Sequence, residues 1–228
     1  KAAATISTLS LPDTYNSLRL STYPSNMISR LLVDFYKEWG TQFHIEYHEG
    51  SVEEITDHVH QGISEIGIVY VALKQVQTFQ HILTHKNLEF VPQDVKKICV
   101  YVGPNHPLYH TESIDFEDLS SLKFMRGVRD FFSMEHHLER VSMGVIDNEK
   151  LHHVVYTNSD HLIIDLLLHS DVCSLGLDFM HEPYTQYAIK SLPINGCEPF
   201  LQMGYVFNPE RALSAQARWV VERFRKML

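Results

Sequence analysis

Residues 18–70, LRLSTYPSNMISRLLVDFYKEWGTQFHIEYHEGSVEEITDHVHQGISEIGIVY, decide the fold because they predict the order strand, helix, strand, helix, strand. Residues 18–21 and 44–48 alternate apolar and polar side chains, as a strand with one covered face does. Between them, apolar side chains recur from Met27 to Tyr36 at the spacing of one helix face. The stretch therefore opens with a βαβ unit.

A second helix and a third strand extend this unit. Ser51, followed three residues later by Glu54, fits a capping box at a helix start. The apolar run 66–70 is typical of a parallel strand that is covered on both faces. Ligands of open parallel sheets bind beyond the carboxyl ends of the strands. Polar residues after the first strand are therefore predicted to contact a ligand: Ser21, Thr22, Tyr23, Ser25 and Asn26.

The same alternation returns in the second half of the chain. Strands are predicted at 122–126 and 153–157, and a helix at 131–141. A closing strand is predicted at 202–207, followed by a helix that Ser214 caps. The sequence therefore predicts two α/β cycles and a strand and helix that return to the first of them.

We expect two Rossmann-like lobes joined by a hinge of two strands. The first lobe comprises 18–100 and 203–228, the second comprises 101–202, and residues 1–17 are the remnant of a linker. A cleft between two such lobes usually holds a small molecule.

Five further residues are predicted to line that cleft. Asn158 and Ser159 follow a strand of the second lobe, although helix capping explains them equally well. Arg126 and Arg129 lie at another strand end, either solvated or paired with a ligand carboxylate. Tyr70 ends the third strand and either walls the pocket or belongs to the core. An arginine in the cleft favours an anionic effector.

Composition excludes several classes of protein. A net charge of −9 argues against nucleic-acid binding by this chain itself, since phosphates need clustered Lys and Arg. No apolar run approaches the roughly 20 residues of a membrane helix, so no membrane contact is expected. Cys99, Cys173 and Cys197 are odd in number and far apart, which fits a reducing cytoplasm better than a disulfide framework.

Neither a cofactor nor a metal site is expected. The chain has 15 histidines, but His58 and His60 do not share a helix face, and no HExxH motif occurs. No Gly-x-Ser-x-Gly motif or phosphate-binding loop occurs either. A hydrolase or transferase on a two-lobe scaffold would need a catalytic constellation, which the sequence does not show, so no enzyme activity is expected.

Several segments together resemble the effector-binding domain of LysR-type transcriptional regulators. The resemblance spans residues 18–228 and is carried by the segments 18–21, 31–35, 62–68, 106–108 (His-Pro-Leu) and 114–119. Two positions depart from the family pattern. Glu65 stands where the family usually has Asp, and 169–172 lacks the glycines usual before the corresponding strand, which leaves the shape of that turn open.

The resemblance implies a periplasmic-binding-protein-like (type 2) fold with a small effector in the cleft. It also implies a homodimer or tetramer in which the first helix and second strand of one subunit lie against the second lobe of another. DNA would be bound only through a winged helix-turn-helix before residue 1, absent from this chain. The alternative is the solute-binding receptor of a transporter, which has a similar fold.

Overall fold

The computed structural model describes residues 16–40, 43–126, 131–147, 151–178 and 187–228. In these ranges the strands are β1 Asn16–Thr22, β2 Phe43–Glu49, β3 Ile66–Ala72, β4 Glu89–Lys96, β5 Ile98–Val102, β6 Lys123–Arg126, β7 His152–Tyr156, β8 Cys173–Leu177, β9 Lys190–Pro193 and β10 Leu201–Phe207. The α-helices are α1 Asn26–Trp39, α2 Val52–Gln61, α3 Val76–His85, α4 Leu138–Val141, α5 Asp160–His169 and α6 Ala215–Met227. Short 3-10 helices lie at Leu73–Gln75, Phe116–Ser121 and Met134–His137.

The first sheet has the strand order β2-β1-β3-β10-β4 among the described residues. β1 runs parallel to β2 and to β3, and α1 and α2 make the two crossovers. β10 runs antiparallel to β3 and β4 and lies between them. The strand, helix, strand, helix, strand order predicted for residues 18–70 is therefore confirmed.

The second sheet has the strand order β7-β6-β8-β5-β9 in the same described ranges. β6 is parallel to β7 and β8, whereas β5 is antiparallel to β8 and β9. The chain passes from the first sheet to the second at Lys97, between β4 and β5, and returns between β9 and β10. The predicted fold of two α/β lobes joined by two strands is confirmed. The boundaries proposed at 100/101 and 202/203 fall inside β5 and β10.

The apolar face of α1 lies against the first sheet. Met27, Ile28, Leu31 and Phe35 expose at most 2% of their surface. Each such side chain contributes about 1.5–3 kcal/mol by leaving water. The ring of Phe35 packs edge-on against Trp219 of α6, with centroids 5.4 Å apart, so the last helix covers the first lobe.

One segment of turn-forming residues is a strand, and one predicted helix differs from that observed. Residues 92–94, Pro-Gln-Asp, have the composition of a turn, but they lie within β4. β4 is the outer strand of its sheet, where Pro92 can lack an N–H without breaking an interior ladder. The helix predicted at 131–141 is instead the 3-10 helix Met134–His137 followed by the single turn of α4. Only Leu138 of these two elements is buried, so no apolar stripe supports a longer helix.

Candidate functional site

A cavity of about 280 Å³ lies between the two lobes. Its first-lobe wall is formed by residues at the end of β1, the start of α1 and the end of β3. These are Tyr23, Pro24, Ser25, Met27 and Tyr70. Tyr23 and Tyr70 meet edge to face, with ring centroids 5.4 Å apart. Three of the residues predicted from the sequence, Tyr23, Ser25 and Tyr70, therefore line one cavity.

The second-lobe wall carries the charged side chains of the site. Arg126 at the end of β6, Glu135 and Asp160 at the start of α5 line the cavity. Ser133 and Ser174 add hydroxyl groups. Apolar residues form the remaining surface of this wall, among them Ile163, Ile164, Leu167 and Ile189. The cavity thus combines an apolar floor with a few convergent polar groups, as small-molecule sites do.

Arg126 and Glu135 form a buried ion pair in this wall. The Nε atom of Arg126 lies 2.6 Å from Oε2 of Glu135, and the two side chains are only 9% and 12% exposed. His153 adds its Nε2 atom 3.7 Å from the same oxygen. The guanidinium charge is therefore partly balanced before any ligand arrives.

Arg126 borders both Glu135 and the cavity. Its Nε atom makes the 2.6 Å contact with Glu135, and the same side chain lines the cavity. A guanidinium with two parallel N–H donors matches a carboxylate or a vicinal pair of oxygens. Glu135 thus holds in place a guanidinium that a ligand in the cavity can reach.

Asp160 faces the first lobe across the cleft. Burial raises the pKa of the Asp160 carboxyl. Burial also raises the pKa of Glu49, at the end of β2, and the charge of Asp160 raises it further. Tyr47 donates a 2.7 Å hydrogen bond to Glu49, and burial raises the pKa of that phenol. Neither carboxylate has a cationic partner within the ranges that the structure describes, so this edge of the cleft carries uncompensated negative charge.

Ser21 and Thr22 lie behind the cavity wall, and both are fully buried. The Ser21 hydroxyl lies 2.9 Å from Nδ1 of His58 and 2.7 Å from the hydroxyl of Ser64. Thr22 donates to the carbonyl of Tyr23 at 3.0 Å. These bonds hold the end of β1 and its following loop in place, whereas ligand contact by either side chain stays a prediction.

The other predicted residues have separate positions. α1 begins at Asn26, and Arg129 lies outside the described residues. The Ser159 hydroxyl accepts the backbone N–H of Leu162 at 3.2 Å and so caps α5. Asn158 beside it is exposed. Ser159 was predicted either to contact a ligand or to cap a helix, and the observed hydrogen bond supports capping.

Sequence reasoning missed several lining residues. Tyr101 lies within β5, where a strand pattern gives no sign that one side chain borders a cleft. Its hydroxyl donates to the carbonyl of Leu177, and burial raises its pKa. Glu135 lies in a segment predicted as an ordinary helix. Asp160 could have been found, because it follows the predicted cap at a strand end, where ligands of such sheets bind.

A match to a known domain family identifies the family of this chain. The pattern of the LysR substrate binding domain matches residues 17–228. The chain belongs to the LysR substrate binding domain family. The resemblance inferred from the short segments is thereby confirmed. No curated protein matches the chain in sequence.

Solved structures share the fold at low sequence identity. The effector binding domain of QuiR in complex with shikimate is 16% identical, with a TM-score of 0.64, covering 93% of this chain and 98% of that one. The C-terminal domain of a probable LysR family regulator from Rhodococcus sp. RHA1 is 16% identical, with a TM-score of 0.61 over 93% and 99%. The oxidized form of OxyR is 14% identical, with a TM-score of 0.60 over 93% and 96%.

The LysR-type domain is thus a regulatory, ligand-sensing module. Its family is regulatory, and the match does not favour the receptor of a transporter. In the part of the chain that the structure describes, no helix has the length and apolarity needed to cross a bilayer.

Proposed function

We propose that this LysR-type domain senses a small metabolite with one carboxylate, which binds in the cavity between the lobes. The observation that supports this most directly is Arg126. Its side chain is 9% exposed, lines the cavity and is held by Glu135 through a 2.6 Å contact at Nε. A buried guanidinium edge of this kind is worth most to a ligand that presents two oxygens in one plane.

The charges of the cavity limit the effector further. Glu135 offsets much of the charge of Arg126, and Asp160 adds a negative charge to the same wall of the cavity. A second anionic group on the ligand would therefore meet repulsion. Hydroxyl or amine donors near Asp160 would instead suit its carboxylate, so we infer a monocarboxylate with hydrogen-bond donors.

The size of the site favours a single small ring or a short chain. A cavity of about 280 Å³ is slightly smaller than the roughly 300–1,000 Å³ usual for small-molecule sites. Tyr23 and Tyr70 contribute aromatic rings to the first-lobe wall. Among the predicted contacts, we retain Ser25 as the first-lobe polar group at the start of α1. For QuiR, the effector binding domain is seen with shikimate.

Regulation would follow from contacts to both lobes. A ligand that bridges Tyr70 of the first lobe and Arg126 of the second binds a closed arrangement better than an open one, which shifts the population of the two. In the full regulator, that shift would alter a homodimer or tetramer and the DNA contacts of a winged helix-turn-helix preceding this domain. We also propose that the regulator acts in the cytoplasm and that this domain has no catalytic role.

Calorimetric titration of the purified chain tests the proposal. The probes are ring-containing and short-chain monocarboxylates, shikimate among them, each paired with its uncharged primary amide. We expect at least one carboxylate to bind and its amide to bind at least about tenfold more weakly, a difference of about 1.4 kcal/mol.

Two variants localise that binding. Ser174→Ala removes a hydroxyl from the cavity wall and should weaken binding. Ser29→Ala should not, since Ser29 bonds the helix carbonyl of Ser25 on the exposed face of α1. A folded chain that binds none of the carboxylates, or binds the amides equally well, would contradict the proposal.

A further inference from the structure

Two histidines stand together on the exposed face of α3, away from the cavity. His81 and His85 are four residues apart, so they lie one above the other on the helix. Their Nε2 atoms are 3.3 Å apart. The rings are nearly perpendicular, at 85°, with centroids 4.8 Å apart. Two imidazole nitrogens thus lie side by side at the protein surface, at a distance that also fits a hydrogen bond between them.

That separation matches the spacing of two ligands on one metal ion. Zinc binds histidine nitrogen at about 2.0–2.1 Å in tetrahedral geometry, which places two such nitrogens about 3.3–3.4 Å apart. The observed 3.3 Å between His81 and His85 is within this range. Imidazole is a good ligand for Zn²⁺, Ni²⁺ and Cu²⁺ alike.

We propose that His81 and His85 form a two-histidine site for a late first-row divalent metal ion. Both side chains are exposed, so an ion reaches them from solvent. No cluster of three or more His, Cys, Asp or Glu that could hold a metal occurs among the described residues. The remaining coordination positions therefore belong to water or to an external ligand, and the ion exchanges freely.

The helix that carries the pair is well anchored. On the opposite face of α3, Phe79 and Leu83 are 0% and 1% exposed. The ring of Phe79 packs edge-on against Phe90 of β4 and against Phe132, with centroids 5.4 Å and 5.2 Å apart. A site on a packed helix keeps its ligands closer to the required geometry than a site on a loop does.

Other histidines are engaged differently. Nδ1 of His60 lies 2.7 Å from the carbonyl oxygen of Lys86, and His161 pairs with Asp165 at 3.4 Å. The ammonium group of Lys86, the residue after His85, is turned to Asp57 at 2.7 Å, so its charge is compensated. The lysine next to the pair in sequence therefore adds little repulsion toward a bound cation.

The test is a titration of the chain without a histidine tag, using Ni²⁺ and Zn²⁺ chloride as probes. H81Q and H85Q each remove one ligand and keep an uncharged polar side chain on the helix. We expect each to weaken the strongest binding event by at least about tenfold, or about 1.4 kcal/mol. H81Q/H85Q should abolish that event.

A matched control removes two exposed histidines that lie too far apart to share an ion. H161Q/H169Q changes the first and last turns of α5, eight residues apart and about 12 Å along the axis. This variant should keep the affinity of the unaltered chain. Circular dichroism confirms that every variant is folded. Metal should raise the unfolding temperature of the unaltered chain and of H161Q/H169Q, but not that of H81Q/H85Q.

Two results would overturn the site. One is binding of Ni²⁺ and Zn²⁺ that H81Q/H85Q leaves unchanged, which would assign it to other histidines. The other is the lack of any binding to the folded chain at millimolar metal. The carboxylate titration is independent of both, because α3 does not line the cavity between the lobes.

Discussion

At the scale of single residues, the ion pair between Arg126 and Glu135 has two consequences. It holds a guanidinium at the wall of the cavity, and it places a cation next to a carboxylate that is only 12% exposed. A buried charge that loses its partner is strongly destabilising, whereas the intact pair adds little over an apolar pair. Stability and ligand binding are therefore linked through one contact.

Arg126→Ala should lower the free energy of unfolding by about 3–5 kcal/mol, because Glu135 loses the cation 2.6 Å away. Urea unfolding followed by circular dichroism measures this. R126A/E135A should lose much less than the sum of the two single changes, since it leaves neither charge alone. Losses below about 1 kcal/mol for R126A would show that the pair is solvated rather than buried.

At the scale of elements, the apolar periodicity and capping pattern of the sequence correctly predicted α1 and α2. The stripe of α1 and the capping box of α2 are seen as expected, because each depends on near neighbours in sequence. α3 was not predicted, since its buried side chains are only Phe79 and Leu83, too few for a clear stripe. Cleft residues such as Tyr101 and Glu135 depend on how the two sheets face each other, which no local pattern records.

Ser51→Ala should destabilise the protein by about 1 kcal/mol through loss of a helix cap. The Ser51 hydroxyl accepts the N–H of Glu54 at 3.2 Å, and the Glu54 carboxylate accepts the N–H of Ser51 at 2.8 Å. Ser29 is the control, because it is exposed on α1 and its hydroxyl donates only locally, to the carbonyl of Ser25 at 3.3 Å. Thermal unfolding should separate S51A from S29A, and equal losses would argue against the capping box.

Gly103→Ala tests how closely α5 packs on the second sheet. A Cβ atom at Gly103 would lie 1.6 Å from the carbonyl oxygen of Leu167 in α5, so the helix must move. Overpacking of this kind typically costs about 1–3 kcal/mol. Because Leu167 also lines the cavity, the change should weaken effector binding as well as stability. Unaltered unfolding and binding would mean that α5 has another way to pack.

At the scale of the whole molecule, the two lobes bring carboxylates together across the cleft. Asp160→Asn should raise the free energy of unfolding at pH 7. The pKa of Asp160 is raised in the folded state, so protonation of this carboxyl favours folding. That contribution to stability is fully present below the ordinary pKa of 3.8 and is lost as pH rises through the pKa of the folded state. The gain from D160N should therefore vanish in strong acid, which urea unfolding between pH 3 and pH 7 measures.

Glu49→Gln should show the same sign, since burial and the charge of Asp160 both raise the pKa of Glu49. The decisive comparison is a double-mutant cycle. The stabilisation by E49Q should be smaller in a D160N background, because one repelling charge is already gone. Full additivity would place the two carboxylates too far apart to interact, and the cleft in solution would be more open than described.

Assembly of the whole molecule is tested on the outer face of the first lobe. β2 and β7 are edge strands of their sheets within the described ranges, and Tyr36 and Val33 of α1 expose 55% and 42% of their surfaces. Apolar side chains beside an unpaired edge favour burial against a second copy. In the homodimer proposed above, Tyr36→Glu places a charge at this face and should shift the chain toward monomer in sedimentation equilibrium. Glu53→Lys, on the first turn of α2, is the control for a surface charge change. If Y36E and the unaltered chain have equal mass at every concentration, α1 is not in the interface, and the assembly proposed for the regulator needs another surface.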